Sequence, residues 1–135
     1  MTALLMLFLA ADLASVKSEA NLERRSEVAL DYAHQQVDTV RDAFNAGESA
    51  KAQAAIDECA QAVDVAYQAL SDTGKNPRNS KYFKKAELRT RELMRRLDGL
   101  AQTLSVDDRD PVTRLRDHVA EVHDNLLKGI MSKKK

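Results

Sequence analysis

Apolar residues return along this chain at steps of three and four with polar positions between them, the rhythm of helices that each bury one face. From Asn21 to Asn45 the stripe is Leu22, Ala29, Leu30, Ala33, Val37, Val40 and Phe44, and Gly47 supplies the stop. A second helix, Ser49 to Leu70, carries Ala52, Ile56, Cys59, Val63, Ala66, Tyr67 and Leu70 and ends in Ser71-Asp72-Thr73-Gly74. Lys75 to Ser80 is the clear loop by composition, with Asn79 or Ser80 placed to cap the next helix. The third helix then runs to about Leu104 on Phe83, Ala86, Leu93, Leu97, Leu100 and Leu104, with Gly99 marking a bend or an early end near Leu97. The fourth is signalled by Asp110 as cap and Pro111 at the first helical position, then Val112, Leu115, Val119, Val122 and Leu126, with Gly129 as stop.

Helices of similar length, each with one apolar seam and joined by short or moderate connections, must run antiparallel to their neighbours and share a core. The pattern therefore predicts an all-α domain over residues 12–131, an antiparallel up-down-up-down four-helix bundle, with 132–135 as a basic tail. An internal echo offers a second architecture. An apolar-Asp-x-apolar-x-Gln pattern starts at Leu30, Val63 and Leu97, spaced by 33 and then 34 residues, the period of tetratricopeptide repeats. Chance agreement between amphipathic helices is the preferred explanation, because a tetratricopeptide unit turns halfway and Asn21 to Asn45 has no Gly or Pro to turn at.

Ahead of the domain, Ala3 to Ala11 is an apolar run too short to cross a bilayer, which takes roughly 20 residues. It has the length of a signal-peptide core, so residues 1–11 are expected to be a short apolar leader, with maturation near Ala11 or Asp12 and a periplasmic or secreted product. Met1-Thr2 brings no basic residue and no Ala-x-Ala marks the cut. The competing reading packs Leu4, Leu5, Leu7 and Phe8 on the domain and leaves the protein in the cytoplasm.

Composition narrows the chemistry. Aromatic residues are 4% and Trp is absent, which leaves little with which to stack single-stranded bases. One Cys excludes an internal disulfide, Cys-pair zinc sites and c-type haem attachment, and Cys59 falls on a seam as a small core hydrophobe. Tyr32, Tyr67 and Tyr82 read as seam-edge packers with wet hydroxyls. No Gly-rich phosphate loop, Gly-x-Ser-x-Gly elbow or His-Glu-x-x-His occurs, so no enzyme and no small-molecule substrate are expected.

The net charge of zero conceals a polarised chain. Residues 12–74 hold twelve acids against five bases, residues 75–96 hold nine bases against Glu87 and Glu92, and residues 97–135 balance at seven each. Glu87 with Arg91 and Glu92 with Arg96 form i,i+4 pairs, whereas Lys81, Lys84, Lys85, Arg89 and Arg95 have no such partner. Two readings compete. In the first, these side chains meet the acids of neighbouring helices and fix which helix lies beside which. In the second, the face from Lys75 to Arg96 stays free and, with Lys133-Lys134-Lys135, docks a polyanion: nucleic acid, anionic lipid or a wall polymer. The matching acids in the same chain favour the first, and the zero net charge disfavours nucleic acid.

Metal and haem find little support. A di-iron bundle needs Glu-x-x-His on two helices, and the chain has none. His118 and His123 are about 140° apart around a helix and flank the seam of Val119 and Val122, while a b-type haem would need Met94 or another Met opposed to a core His. No cofactor is expected, and a haem or metal carrier is the remote alternative. His34, beside a seam position, is expected to face solvent or bond locally. The acid stripe Asp117, Glu121, Asp124 is expected to answer basic residues of the third helix.

The Ala11-to-Leu30 segment, the Phe83-to-Asp98 core and the Val119-to-Met131 close resemble small exported helical proteins of uncharacterised function found in soil bacteria. The resemblance spans nearly the whole chain, implies export and a helical fold, and transfers no functional residue. The Leu-Thr-x-x-Gln motif of extracytoplasmic chaperone bundles is missing. The expected function is thus that of a non-enzymatic helical interaction or structural protein of the bacterial envelope, whose partner is another protein or an envelope polymer. The alternative is polyanion binding through Lys81, Lys84, Lys85, Arg89 and Arg95.

Overall fold

The chain turns where its glycines permit it. Gly47 and Gly74 take left-handed φ values of 74° and 69°, which other residues adopt only at a cost, and each closes a long helix. The computed structural model describes residues 12–132, and over them the fold is all-α. It consists of α1 (Leu13–Lys17), α2 (Leu22–Asn45), α3 (Ser49–Asp72), α4 (Lys81–Thr103) and α5 (Val106–Met131), with a 3-10 turn at Pro77–Asn79 before α4. The expected leader and Lys133-Lys134-Lys135 lie outside the described residues.

Side-chain caps fix the starts of α2 and α4. Asn21 accepts from the Arg24 amide at 2.9 Å, and Ser80 accepts from the amides of Tyr82 and Phe83. The apolar pattern does not predict α1. Its five residues are too few to show a period, but Asp12 caps it and buried Leu13 and Val16 lay it against α2 and α3. The echoed segments at Leu30, Val63 and Leu97 each lie inside one unbroken helix, so they do not mark helix-turn-helix units.

Two expectations about α4 and α5 are corrected. Gly99 does not end α4, which continues to Thr103. α5 starts at Val106, not Pro111: Asp107 and Asp108 favour its first turn, and Pro111 is accommodated inside the helix next to exposed residues. The α4–α5 corner is held by Arg109, whose guanidinium donates to the carbonyls of Ala101 and Leu104 at 3.0 and 3.1 Å.

α2 packs along α3 and α4 along α5, as two helical hairpins, and the hairpins meet through α2 on α4 and α3 on α5. Here the expectation of antiparallel neighbours fails. Glu27 with Lys85, Asp31 with Arg89 and Asp38 with Arg96 are all 58 residues apart, and a constant offset requires α2 and α4 to run parallel. The Thr73-to-Ser80 connection must therefore cross the end of the fold. It passes against α5 at Gly129, where an added Cβ would lie 3.1 Å from the Pro77 ring. Gly129 is thus a point of close approach and not the predicted stop; α5 continues to Met131.

The interior is aliphatic. Leu70, Leu93, Leu97 and Leu126, with Val40, Val63, Val112 and Val119, are all but sealed from solvent and belong to one buried cluster spanning the long helices. Cys59 lies in it as expected, its thiol 3.5 Å from the Ala33 carbonyl and pushed up to about 12 by burial, so it carries no thiolate at neutral pH.

Candidate functional site

α4 carries the basic segment, and its circumference divides into a flank against α2, a flank against α5 and an outer arc. The α2 flank is a ladder of ion pairs. Lys85 meets Glu27, Arg89 meets Asp31 at 2.8 Å, Arg96 meets Asp38 at 2.6 Å, and Lys75, just ahead of the helix, meets Glu23 at 2.6 Å. The salt bridge to Glu27 also raises the Lys85 ammonium above its ordinary range.

His34 sits within this ladder, half-buried, and does not bond locally as expected. Its Nε2 faces the Arg89 carbonyl at 3.2 Å, and Arg96 Nη1 approaches its Nδ1 at 3.1 Å. A carbonyl can only accept and a guanidinium can only donate, so the network selects the neutral ring with the proton on Nε2. Burial, reinforced by the Arg89 and Arg96 charges, lowers the His34 pKa accordingly.

The α5 flank is buried. Glu87 and His123, neither more than about one-tenth exposed, are joined at 2.7 Å between Oε2 and Nε2, and Arg91 donates twice to the same Oε2, at 2.6 and 3.0 Å. The other His123 nitrogen lies 3.3 Å from Asp124 Oδ1. Burial opposes the Glu87 charge, but His123 and Arg91 outweigh it and hold the carboxyl below the usual range. The cluster joins α4 to α5, and farther along that flank Arg116 lies 3.0 Å from Asp98.

What remains is the outer arc. Lys81, Lys84, Leu88 and Arg95 fall within about 60° of one another around α4, and all are exposed, Leu88 by 52%. Lys81 lies over the ring of its neighbour Tyr82, while Lys84 and Arg95 meet no carboxylate among the described residues. The five candidate cations are thus separated by the fold: Lys85 and Arg89 are answered by α2, and Lys81, Lys84 and Arg95 face outward.

Other expectations are corrected here. Arg96 leaves Glu92 for Asp38, and Glu92 lies 3.4 Å from Arg89 instead. The acid stripe does not answer the basic helix: Asp117 lies 3.6 Å from Arg116 on its own helix, Asp124 touches His123, and Glu121 has no partner among the described residues. α2 reaches the basic flank of α4 first. The Tyr32 hydroxyl is not merely wet; it donates to Glu58 at 2.7 Å, and burial with that contact raises its pKa.

The buried Glu87–His123 pair went unforeseen because its signal is weak: Glu87 is about 100° from the middle of the apolar stripe and His123 adjoins the seam residue Val122. His118 points elsewhere, to Asp64 at 2.7 Å on α3. Among the described residues, no group of three or more His, Cys, Asp or Glu could hold a metal ion, and no helix is long and apolar enough to cross a membrane. Compared with family models, curated proteins and solved structures, the chain matches none.

Proposed function

We propose that this is a non-enzymatic helical interaction protein of the bacterial envelope, which acts by presenting the outer face of the α4–α5 hairpin to another macromolecule. The observation that carries the reading is Leu88, half-exposed between Lys84 and Arg95 on the arc of a helix whose other flanks are both occupied. An exposed apolar residue framed by unanswered charges is the make-up of a small protein contact. The reading takes the scaffold to be a four-helix bundle, supported by two hairpins sharing one buried cluster. It takes the product to be exported, supported by the apolar run before Asp12 and by that residue's role as cap, which a chain cut near Ala11 would retain.

Polyanion binding is the second reading, favoured by the freedom of Lys81, Lys84 and Arg95; Lys85 and Arg89 contribute less to it because their charges are met by Glu27 and Asp31. Capture from native extract decides the first reading. The wild-type chain is compared with a Lys84→Glu/Leu88→Asp/Arg95→Glu variant, with the N-terminus of the endogenous protein read in the same run. A partner retained by wild type and lost by the variant supports the proposal, and capture indifferent to the variant overturns it. Retention on heparin that weakens steeply with salt and disappears on neutralising Lys81, Lys84 and Arg95 would favour the second reading instead.

A further inference from the structure

The outer arc of α4 does not lie alone. Beside it on α5, Asp117, Glu121 and Asp124 occupy an exposed arc of similar width that Lys128 ends one turn farther on, with Leu127 and Met131 flanking it at 36% and 71% exposure. The contacts between Glu87 and His123 and between Asp98 and Arg116 set the antiparallel register. By that register Arg95 is level with Asp117, Leu88 lies between Glu121 and Asp124, and Lys84 is within about one turn of Asp124. The hairpin therefore presents a basic stripe and an acidic stripe side by side, with Leu88, Leu127 and Met131 as its apolar content.

A uniformly negative polymer laid on this face gains from one stripe and is repelled by the other. A second copy of this chain gains from both. Rotating a copy by a half-turn about an axis parallel to the helices lays its α5 over this α4 and its α4 over this α5 at the same level, so Arg95 opposes the second copy's Asp117, Leu88 faces its Glu121 and Asp124, and Lys84 lies between its Asp124 and its Lys128, the one like charge of the contact. A half-turn about the perpendicular in-plane axis would instead set basic stripe on basic stripe. Charge complementarity thus selects one of the two face-to-face arrangements.

Resting on the reading that this face is an interaction surface, we infer that its occupant is a second copy of the chain, in an isologous dimer of α4 on α5. The face measures about 20 Å along the helices and about 20 Å across, the small end of specific interfaces. The dimer is accordingly weak, forms at high micromolar concentration and dissociates as salt screens the stripes.

The test is sedimentation velocity of the full chain over a concentration series at low and high salt. It uses wild type, a Lys84→Glu/Arg95→Glu variant and an Asp117→Lys/Asp124→Lys variant, with circular dichroism to check that each is folded. Wild type should dimerise, and each variant alone should associate more than about tenfold more weakly, because like charges then face each other twice. Mixing the two variants should restore association, because each altered stripe meets its complement. A wild type that stays monomeric throughout, variants that dimerise undiminished, or a mixture that fails to re-form the dimer overturns the inference. Capture of a different partner through Lys84, Leu88 and Arg95 would still uphold the broader reading in the first of these cases, so the two fail separately.

Discussion

The two flanks of α4 use similar side chains under different conditions. Toward α2, Arg89 and Arg96 meet carboxylates that stay at least half exposed, 65% for Asp31 and 50% for Asp38. Toward α5, Glu87 and His123 are shut between helices at 8% and 11% side-chain exposure. An exposed pair has water as an alternative partner for each member, so its net worth is small. A buried group that loses its partner has no alternative, so the same kind of contact becomes costly to break. The ladder sets which helix lies beside which, and the buried cluster sets how firmly one of those neighbours is held.

The largest effect expected from breaking this contrast is in the cluster. Glu87→Ala leaves His123 buried without its main acceptor and frees Arg91, and should cost about 3 kcal/mol in urea unfolding. His123→Ala should cost less, since Arg91 still satisfies the carboxylate. A loss under about 1 kcal/mol for Glu87→Ala would erase the distinction between the flanks.

Acid should probe both flanks in sequence. The His34 pKa lies below the 6.5 of a free imidazole and that of Glu87 below the 4.5 of a free carboxyl, so the unfolded chain takes up both protons before the folded one does. Each group therefore contributes stability that is complete above its unfolded value and is lost as pH falls through its folded value. Urea midpoints should begin to fall below about pH 6.5 through His34 and fall further below about pH 4.5 through Glu87. His34→Gln should flatten the first stage and leave the second.

Gly99 separates the helix itself from its contacts. It lies inside α4 with nothing within 4 Å of an added Cβ, so Gly99→Ala should raise stability by about 1 kcal/mol, read from the thermal midpoint. Gly129→Ala should lack that gain, because its Cβ must displace the Pro77 ring.

The smallest effect belongs to the ladder. Asp31→Asn should change stability by less than about 1 kcal/mol, and a double-mutant cycle with Arg89→Gln should give a coupling that shrinks in salt. A coupling of several kcal/mol would mean that the two flanks are not different in kind.

The helices were legible in the sequence because a seam is a local, repeated signal: Leu30, Ala33, Val37 and Val40 on α2, or Leu115, Val119, Val122 and Leu126 on α5, state the buried face outright. The turns at Gly47 and Gly74 were legible for the same reason. Boundaries that depend on contacts were not. Pro111 has the look of a first residue until Asp107 and Asp108 are seen in the first turn of a helix that starts at Val106. Gly129 has the look of a stop until Pro77 is found against it.

The candidate site divides along the same line. The sequence by itself determined that α4 is basic, that α2 and α3 are acidic and that the domain is helical, because charge and period are properties of the residue order. Which cations would be answered depended on the parallel apposition of α2 and α4, set by a connection that crosses the end of the fold, and on about a third of a turn of helix that points Lys85 and Arg89 toward acids while Lys84 and Arg95 face water. The same holds for Glu87 and His123, 36 residues apart. Periodicity fixes a direction around one helix axis, but a partner is fixed only when two axes are placed side by side, and that placement is decided by packing distant segments around a common core.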